Sequence, residues 1–418
     1  MSAIRYDDVW LLGGMRTPFV DYNGALRDVS PTDLGILAAR AALAKVAFDP
    51  ALIDAVVAAN VAQSSFDAYY VPRHIGLYSG VPVDVPALGV NRICGSGFET
   101  IATAADNIQL GKASAILCVG TESMSRNPVA SYTSRGGFRM GGVEFADFLW
   151  EATLDTAPGI RMGDTAERLA IKYGIDRGKV DEFAAQSFTR AVAARERGYF
   201  TDEIVSVEAQ VFSRTGFSDR SIQTPRATPA ITQDSHPRET SVQTLAKLTA
   251  PFAGGIQTGG NSAAIVDGAA AVIISSSRFA DERSPLARIV AASTVGVPPD
   301  IMGIGPAPAI RQLLEHCDLT LADIARFEIN EAFGAQYLAV ERELGLDRSR
   351  VNVNGGAIAL GHPLAATGTR CALTVARELR ESGERYGIAS ACAGGGQGIA
   401  LLLENPLATH EIWRAARL

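Results

Sequence analysis

Short apolar runs and longer Ala- and Leu-rich stretches take turns along this chain, and their periods predict strands and helices in alternation. Residues 9–13 read as a first buried strand, 34–46 as a helix that Asp49-Pro50 ends, and 55–59 as a strand reaching Asn60. A short apolar segment from Ala87 runs into Cys94-Gly95-Ser96-Gly97. Residues 98–110 then carry a helical pattern and 115–120 an apolar strand. Strands separated by helices imply parallel pairing in a sheet covered on both faces, an α/β class.

The C-terminal third repeats the order. Residues 309–317 predict a helix, 320–324 a turn into a second short helix, and 326–329 a strand reaching Asn330. Residues 351–354 and those up to Leu360 lead to Gly361-His362-Pro363. A helical pattern over 369–379 and a strand over 387–391 reaching Cys392 follow. Asn60 and Asn330 stand 270 residues apart, and Gly120 and Cys392 stand 272 apart (330 − 60 and 392 − 120). Near-constant offsets between matching elements argue for two copies of one βαβ-rich unit. The stretch between them is loop-rich and dotted with arginines from Arg126 to Arg238, Arg139 among them; it also holds an amphipathic helix over 179–197. It reads as an insertion capping a two-unit core, its arginines mostly a solvated face with a few available to a phosphorylated ligand. The expected division is 1–120 with 251–285 as the first half, 121–250 as the inserted loop domain, and 286–418 as the second half. Gly254, Gly255, Gly259 and Gly260 lack the Lys-Ser/Thr of a phosphate-binding loop and are expected to serve tight turns and packing.

Composition narrows the function. Of 418 residues 47 % are hydrophobic and 20 % charged, enough apolar material for a large core. The net charge of −7 leaves no basic footprint for nucleic acid, and no apolar run approaches a membrane span. The five cysteines (94, 118, 317, 371, 392) have neither disulfide nor metal spacing. With no signal-peptide core near Met1, a reducing compartment and the cytoplasm are expected.

The chemistry concentrates at four turns. Cys94 lies at or just before a first helical turn, where free amides and the helix dipole favour an anion; this predicts a depressed thiol pKa and a nucleophile. Gly95 and Gly97 are expected to leave room for a group approaching the sulfur. A lone cysteine among alanines is more often a buried small hydrophobe. The other three turns change that weighting: Asn330-Glu331-Ala332-Phe333, the Gly361-His362-Pro363 turn, and Cys392-Ala393-Gly394-Gly395-Gly396. All four are expected at strand ends, where open α/β sheets bind ligands, and together they supply a nucleophile, an imidazole, a second thiol and a carboxamide.

Asn91-Arg92-Ile93-Cys94-Gly95-Ser96-Gly97, Asn330-Glu331-Ala332-Phe333, residues 355–363 and Cys392-Ala393-Gly394-Gly395-Gly396 resemble the four signatures of the thiolases. These are the acetyl-CoA acetyltransferases and 3-ketoacyl-CoA thiolases. The similarity spans nearly the whole chain, including Arg16-Thr17-Pro18, the stretch from Gly120 to Ser125 and that from Asp267 to Ala271. It implies a five-layered αβαβα fold of two duplicated halves with an inserted loop domain, a homodimer or homotetramer, and, as a further partner, a β-oxidation subunit. It also implies C-acyl transfer: thiolysis of 3-ketoacyl-CoA, or Claisen condensation of acetyl-CoA, through a thioester on Cys94. His362 would activate that thiol, and Cys392 would handle the α-carbon proton. One oxyanion hole would come from His362 and a water held by Asn330, the other from the amides of Cys94 and Gly394. Implied contacts to substrate and CoA are Met162, Arg238, Ser262, Ala263, Met302 and Phe333. CoA and acyl-CoA are substrates, with no permanent cofactor and no metal.

Departures pull the substrate in two directions. Ala365-Ala366-Thr367-Gly368 and Arg161-Met162-Gly163-Asp164 resemble subunits of long-chain oxidation complexes, whereas Asn330 and the Cys94 signature resemble ordinary thiolases. Two alternatives stand beside this reading: a decarboxylating condensing enzyme of the ketoacyl-synthase type, and a CoA-binding partner subunit without chemistry.

Overall fold

The computed structural model describes residues 2–63, 68–132, 134–138, 140–251 and 254–408. Arg139 and residues 409–418 of the expected second half lie outside the described residues. The first half contributes strands β1 (Ser2–Arg5), β2 (Trp10–Arg16), β3 (Val20–Asp21), β4 (Ala55–Ala59), β5 (Ala87–Gly89) and β6 (Ala115–Glu122). With them come helices α1 (Pro31–Lys45), α2 (Val71–Tyr78) and α3 (Ser96–Gln109). Helices α4 (Met162–Tyr173) and α5 (Arg177–Glu196) belong to the connecting region, after which β7 (Val266–Ser275) rejoins the sheet. The second half runs β8 (Ala287–Gly296), α6 (Pro306–His316), β9 (Ile324–Ile329), α7 (Gly334–Leu344), α8 (Leu364–Ser382), β10 (Tyr386–Ala393) and β11 (Gln397–Glu404).

The strand order is β9-β10-β11-β8-β2-β7-β6-β4-β5, with β1 beside β8 and β3 beside β7. Within it lie two half-sheets of the same design. In one, β4 runs parallel to β6, which is antiparallel to β7, which is antiparallel to β2. In the other, β9, β10, β11 and β8 repeat those senses. The halves meet through a ladder of two pairs, Ala287 with Leu11 and Arg288 with Trp10. The duplication inferred from constant offsets is therefore visible as repeated topology.

Strand side chains alternate between layers, as the pleat requires. Leu117 and Val119 of β6 join the core beneath α1 and α2, while Ile116 and Cys118 join a second core around α3 and α8. Helix α8 packs on α3 and touches β6 and β7 on one side and β9 and β10 on the other. Helix α1 covers the outer face of the first half-sheet, and α6 that of the second. This makes five layers, αβαβα. The central helices approach closely because glycines face each other. A Cβ on Gly97 would lie 2.5 Å from the Ala365 carbonyl oxygen, and one on Gly368 would lie 2.3 Å from the Phe98 nitrogen. The glycine after Ser96 thus serves helix contact, not access to the sulfur.

Local sequence explains the element ends. Ser30 caps α1 by accepting from the Asp33 amide, with Pro31 at the first helical position. Asp176 caps α5, and Gly174 ends α4 in the left-handed conformation that favours glycine. Residues 351–354 form no strand: Val351 makes a single bridge to Phe327, and Asn352 stands at φ +46°. The His362 turn accordingly follows one helical turn, Ala357–Leu360, and not a strand end as expected.

Several arginines of the connecting region point inward. Arg220 pairs with Asp33 at 2.7 Å, and the Arg214 guanidinium donates to the carbonyls of Leu77 and Val81. From the core, buried Arg16 grips Glu203 at 2.7 Å and Asp234 at 2.6 Å, and Arg377 of α8 reaches the same Glu203 at 2.8 Å. Among the described residues no helix is long and apolar enough to cross a membrane.

Candidate active site

The nucleophile turn is held under strain. After β5 the chain reaches Ile93, whose φ is +49°, a conformation β-branched residues rarely adopt. Its own amide donates to Asn91 Oδ1 at 2.9 Å, the Ser96 amide donates to its carbonyl at 3.0 Å, and three further bonds close the turn. The Arg92 amide donates to Ser96 Oγ at 2.8 Å, that hydroxyl donates to the Ile93 carbonyl at 2.7 Å, and the Gly95 amide donates to the Arg92 carbonyl at 2.9 Å. The next residue, Cys94, faces a cavity of about 360 Å³.

Two amides, its own and that of Gly394, are directed at the Cys94 sulfur. They do not make it a thiolate. Burial pushes its pKa up to about 11, and the Glu122 carboxylate adds to the rise. The depressed pKa expected from the helix terminus is therefore corrected: α3 begins at Ser96, beyond the sulfur, and desolvation outweighs the two donors. At rest Cys94 is a neutral thiol.

His362 lines the same cavity. Its main chain donates to the Ala264 carbonyl at 2.9 Å, and its ring is fixed from behind. Thr367 Oγ1 lies 2.6 Å from Nδ1 and donates its own proton to the Pro363 carbonyl at 3.1 Å, so Nδ1 must be the donor to Thr367. The lone pair then sits on Nε2, 3.3 Å from the Asn330 amide nitrogen. Burial, with Arg370 adding, holds the imidazole pKa down to about 3. His362 is a neutral base with a defined tautomer.

Asn330 follows β9, its amide bonded to the Ser390 carbonyl at 2.9 Å; its side-chain oxygen is buried without a hydrogen-bond partner among the described residues. Such an orphan acceptor fits a bound water. Cys392 is fully buried near the end of β10, behind a cluster with Met302 and Ala332. Burial raises its pKa and the neighbouring Cys94 raises it further.

Of the expected substrate contacts, Met162, Ala263, Met302 and Phe333 line the cavity. Ser262 is tied to Phe333 by an antiparallel bridge and Arg238 lies exposed, its guanidinium 4.7 Å from the Phe188 ring centre; neither lines the cavity. The turn of Gly394 packs tightly on the nucleophile turn, since a Cβ there would stand 3.3 Å from Ile93 Cγ2 and 3.5 Å from Met162 Sδ. Among the described residues no group of three or more His, Cys, Asp or Glu is arranged to hold a metal.

Four contributors are not singled out by the residue pattern. Thr367 lies within Ala365-Ala366-Thr367-Gly368, where nothing in the sequence gives it a role. Glu122, fully buried, accepts from the amides of Val61 (3.2 Å), Ala62 (3.0 Å) and Ala365 (3.1 Å) and from the Asn60 side chain (2.9 Å). Burial nonetheless pushes its pKa up to about 8. Its signal was an acidic residue ending an otherwise apolar strand. Leu149 and Trp150, which wall the cavity from the connecting region, carried no signal in the residue pattern.

Family models described as thiolase, N-terminal domain, and thiolase, C-terminal domain, match residues 9–278 and 283–405. The mitochondrial 3-ketoacyl-CoA thiolase of Bos taurus is 44 % identical over 97 % of this chain and 100 % of its own length. Beta-ketothiolase BktB of Cupriavidus necator is 40 % identical over 95 % of this chain and 99 % of its own. The crystal structure of human mitochondrial 3-ketoacyl-CoA thiolase in complex with CoA superposes with a TM-score of 0.89 at 42 % identity, covering 95 % of this chain and 98 % of that one.

Proposed function

The chain belongs to the thiolase family, an acyltransferase that cleaves 3-ketoacyl-CoA with CoA or condenses acetyl-CoA units, and on that premise we propose how its residues divide the work. The observation that carries the proposal is the neutral thiol of Cys94 facing two amides, in one cavity with an imidazole whose lone pair is on Nε2. In thiolysis His362 takes the Cys94 proton as the sulfur attacks the 3-keto carbon. The bond between C2 and C3 breaks, and its electron pair becomes the enolate of acetyl-CoA. Cys392 gives that enolate its proton, and acetyl-CoA leaves. The Cys392 thiolate then takes the proton of the CoA thiol as that sulfur attacks the acyl-Cys94 thioester; the bond from the acyl carbon to Cys94 breaks, the shortened acyl-CoA leaves, and His362 returns its proton to Cys94.

Charge on oxygen develops at two places, and fixed donors there lower the barrier because they need no reorganisation. The amides of Cys94 and Gly394 suit the oxyanion at the acylated carbon. His362, with a water on Asn330, suits the enolate oxygen. The orphan carbonyl of Asn330 supports that water.

The cavity is walled largely by apolar groups, among them Leu149, Trp150, Ile265, Met302 and Phe333. That lining supports acyl chains longer than acetyl, and exposed Arg238 is proposed to meet the phosphates of CoA outside it. A homodimer or homotetramer, able to take a β-oxidation partner subunit, completes the proposed assembly. The free cysteines accord with the reducing cytoplasm. The thiolase assignment displaces both alternatives, the decarboxylating condensing enzyme and the subunit without chemistry. Thiolysis rates across 3-ketoacyl-CoA chain lengths, with intact-mass detection of acyl-Cys94, test the reading. kcat/KM is expected to rise beyond the four-carbon substrate. A strict four-carbon preference would overturn the chain-length proposal, and an equal adduct on Cys94→Ala would overturn the role of Cys94.

A further inference from the structure

We propose that Gln397, braced by Arg92, is a positioning residue that clips the nucleophile turn to the Gly394 turn and so sets the aim of the Gly394 amide at the Cys94 sulfur. The inference rests on the thioester reading above and adds residues to it.

The two amides that face the sulfur come from opposite ends of the chain. Cys94 sits between β5 and α3, and Gly394 opens the three-residue turn between β10 and β11, where Ala393 pairs with Gln397. Gly395 and Gly396 both stand in the left-handed region, at φ +79° and +81°, so this turn has glycine's freedom and no side chain of its own to stiffen it. Gln397 supplies the missing restraint. Its Nε2 donates to the Gly394 carbonyl at 3.4 Å, and its Oε1 accepts from Arg92 Nη1 at 2.9 Å. Arg92 is anchored in turn: its Nε donates to Glu99 Oε2 at 2.5 Å in the first turn of α3. The planar guanidinium spends one edge on each partner, which a lysine could not do. Strained Ile93 lies between Arg92 and Cys94, so the same residue that holds the glycine turn also holds one end of the strained segment. The amide oxygen must face Arg92, which leaves the NH₂ group for the carbonyl, so the donor pattern is consistent throughout.

The test separates aim from nucleophilicity by using two reactions of one sulfur. In acylation by acetyl-CoA the S–acyl bond to Cys94 forms as that to CoA breaks, and the Cys94 proton ends on CoA; an oxyanion appears on the way. In alkylation by iodoacetamide a C–S bond forms as C–I breaks, iodide and a proton leave, and no oxyanion develops. Gln397→Met, close in size but without either hydrogen bond, is expected to slow acylation about 10–30-fold, less than the 10²–10³ for deleting an oxyanion donor outright. Alkylation should stay within twofold of wild type. Gln397→Glu, which keeps an acceptor for Arg92 but loses the NH₂ that donates to the Gly394 carbonyl, should slow acylation about as much as Gln397→Met, because the clip needs both bonds. Arg92→Lys carries the same expectation as Gln397→Met should that variant not fold. Acylation and alkylation falling together, acylation unchanged in Gln397→Met, or acylation at the wild-type rate in Gln397→Glu would each overturn the clamp. Absence of an acetyl adduct in the wild type would instead overturn the thioester reading beneath it.

Discussion

The two halves share a topology, yet at matching positions they spend their polar groups differently. Asn60 and Asn330 both follow the first strand of their pair. Asn60 donates to the Thr121 carbonyl at 3.0 Å and to Glu122, whereas the Asn330 amide nitrogen faces His362 at the cavity; the side-chain oxygen of each is without a partner among the described residues. Two residues past Gly120 stands Glu122; two past Cys392 stands Gly394. The helix contact fixes a third correspondence, Gly97 with Gly368, which sets Cys94 against Ala365. Glu122 of the first copy binds the Ala365 amide of the second, and the Gly394 amide of the second is aimed at Cys94 of the first. One crossing is a closed structural bond; the other is a donor facing a reactive atom. The comparison teaches that a site can arise on a duplicated frame where one copy withholds the bonds that the other completes.

The sharpest way to break that contrast is through the thiol that has only a glycine counterpart. Cys392→Ser should still be acylated by acetyl-CoA, because Cys94 and its donors are intact. Deuterium uptake at the acetyl methyl in heavy water should fall about 10²–10⁴-fold, the usual worth of a placed acid or base. Uptake at the wild-type rate would reduce Cys392 to a packing residue. Next in size, His362→Ala should slow thiolysis about 10²–10³-fold. Asn330→Ala should cost less, acting through water, and Asn60→Ala should lower thermal stability with little change in rate. If Asn60→Ala proved as damaging to turnover as Asn330→Ala, the division between copies would fail.

A smaller effect is expected at Thr367. Thr367→Val leaves the His362 Nδ1 proton buried without an acceptor, worth about 1–3 kcal/mol, while Thr367→Ser keeps the bond. Thiolysis should therefore drop in the valine variant and survive in the serine one; equal rates in both would remove Thr367 from the tautomer argument. Glu122→Gln replaces an acceptor of four N–H groups by one that must turn an NH₂ toward some of them. A loss of about 1–3 kcal/mol in urea unfolding is expected, with Cys94 alkylation slightly faster, because the carboxylate that raises the thiol pKa is gone.

The pH dependence is the mildest test. With the thiol pKa near 11 and the imidazole neutral above about 3, the alkylation rate of the free enzyme should climb between pH 5 and 9 without an inflection near 6.5. A plateau between pH 6 and 8 would restore a low-pKa thiolate.

Much of this was legible in the residues, for physical reasons. Strand β4 is recovered to the residue because Ala55–Ala59 is a short apolar run closed by an asparagine. Helix α8 starts five residues before its periodic pattern, since Ala365 to Gly368 are buried on all sides and show no polar face. The candidate residues at the turns were found because glycine, cysteine and histidine stand out against alanine. The Cys94 pKa was misjudged because a helix terminus is written in sequence while desolvation is not. The apolar cavity walls from 147–153 escaped notice because they belong to the site only through tertiary placement.

The position of β7 has a consequence for the order in which the protein is made. Strand β2 pairs with β7 along its length and with β8 at only two residues, so the first half-sheet stays open until Ser275 has left the ribosome. From Glu122 to Ser275 is 153 residues (275 − 122), about 8–30 s of synthesis at 5–20 residues per second. During that interval β6 offers an unpaired edge of eight largely apolar residues, the kind of surface that chaperones cover. Gly394 emerges later still, so the nucleophile exists on the nascent chain long before the amide that would make it catalytic.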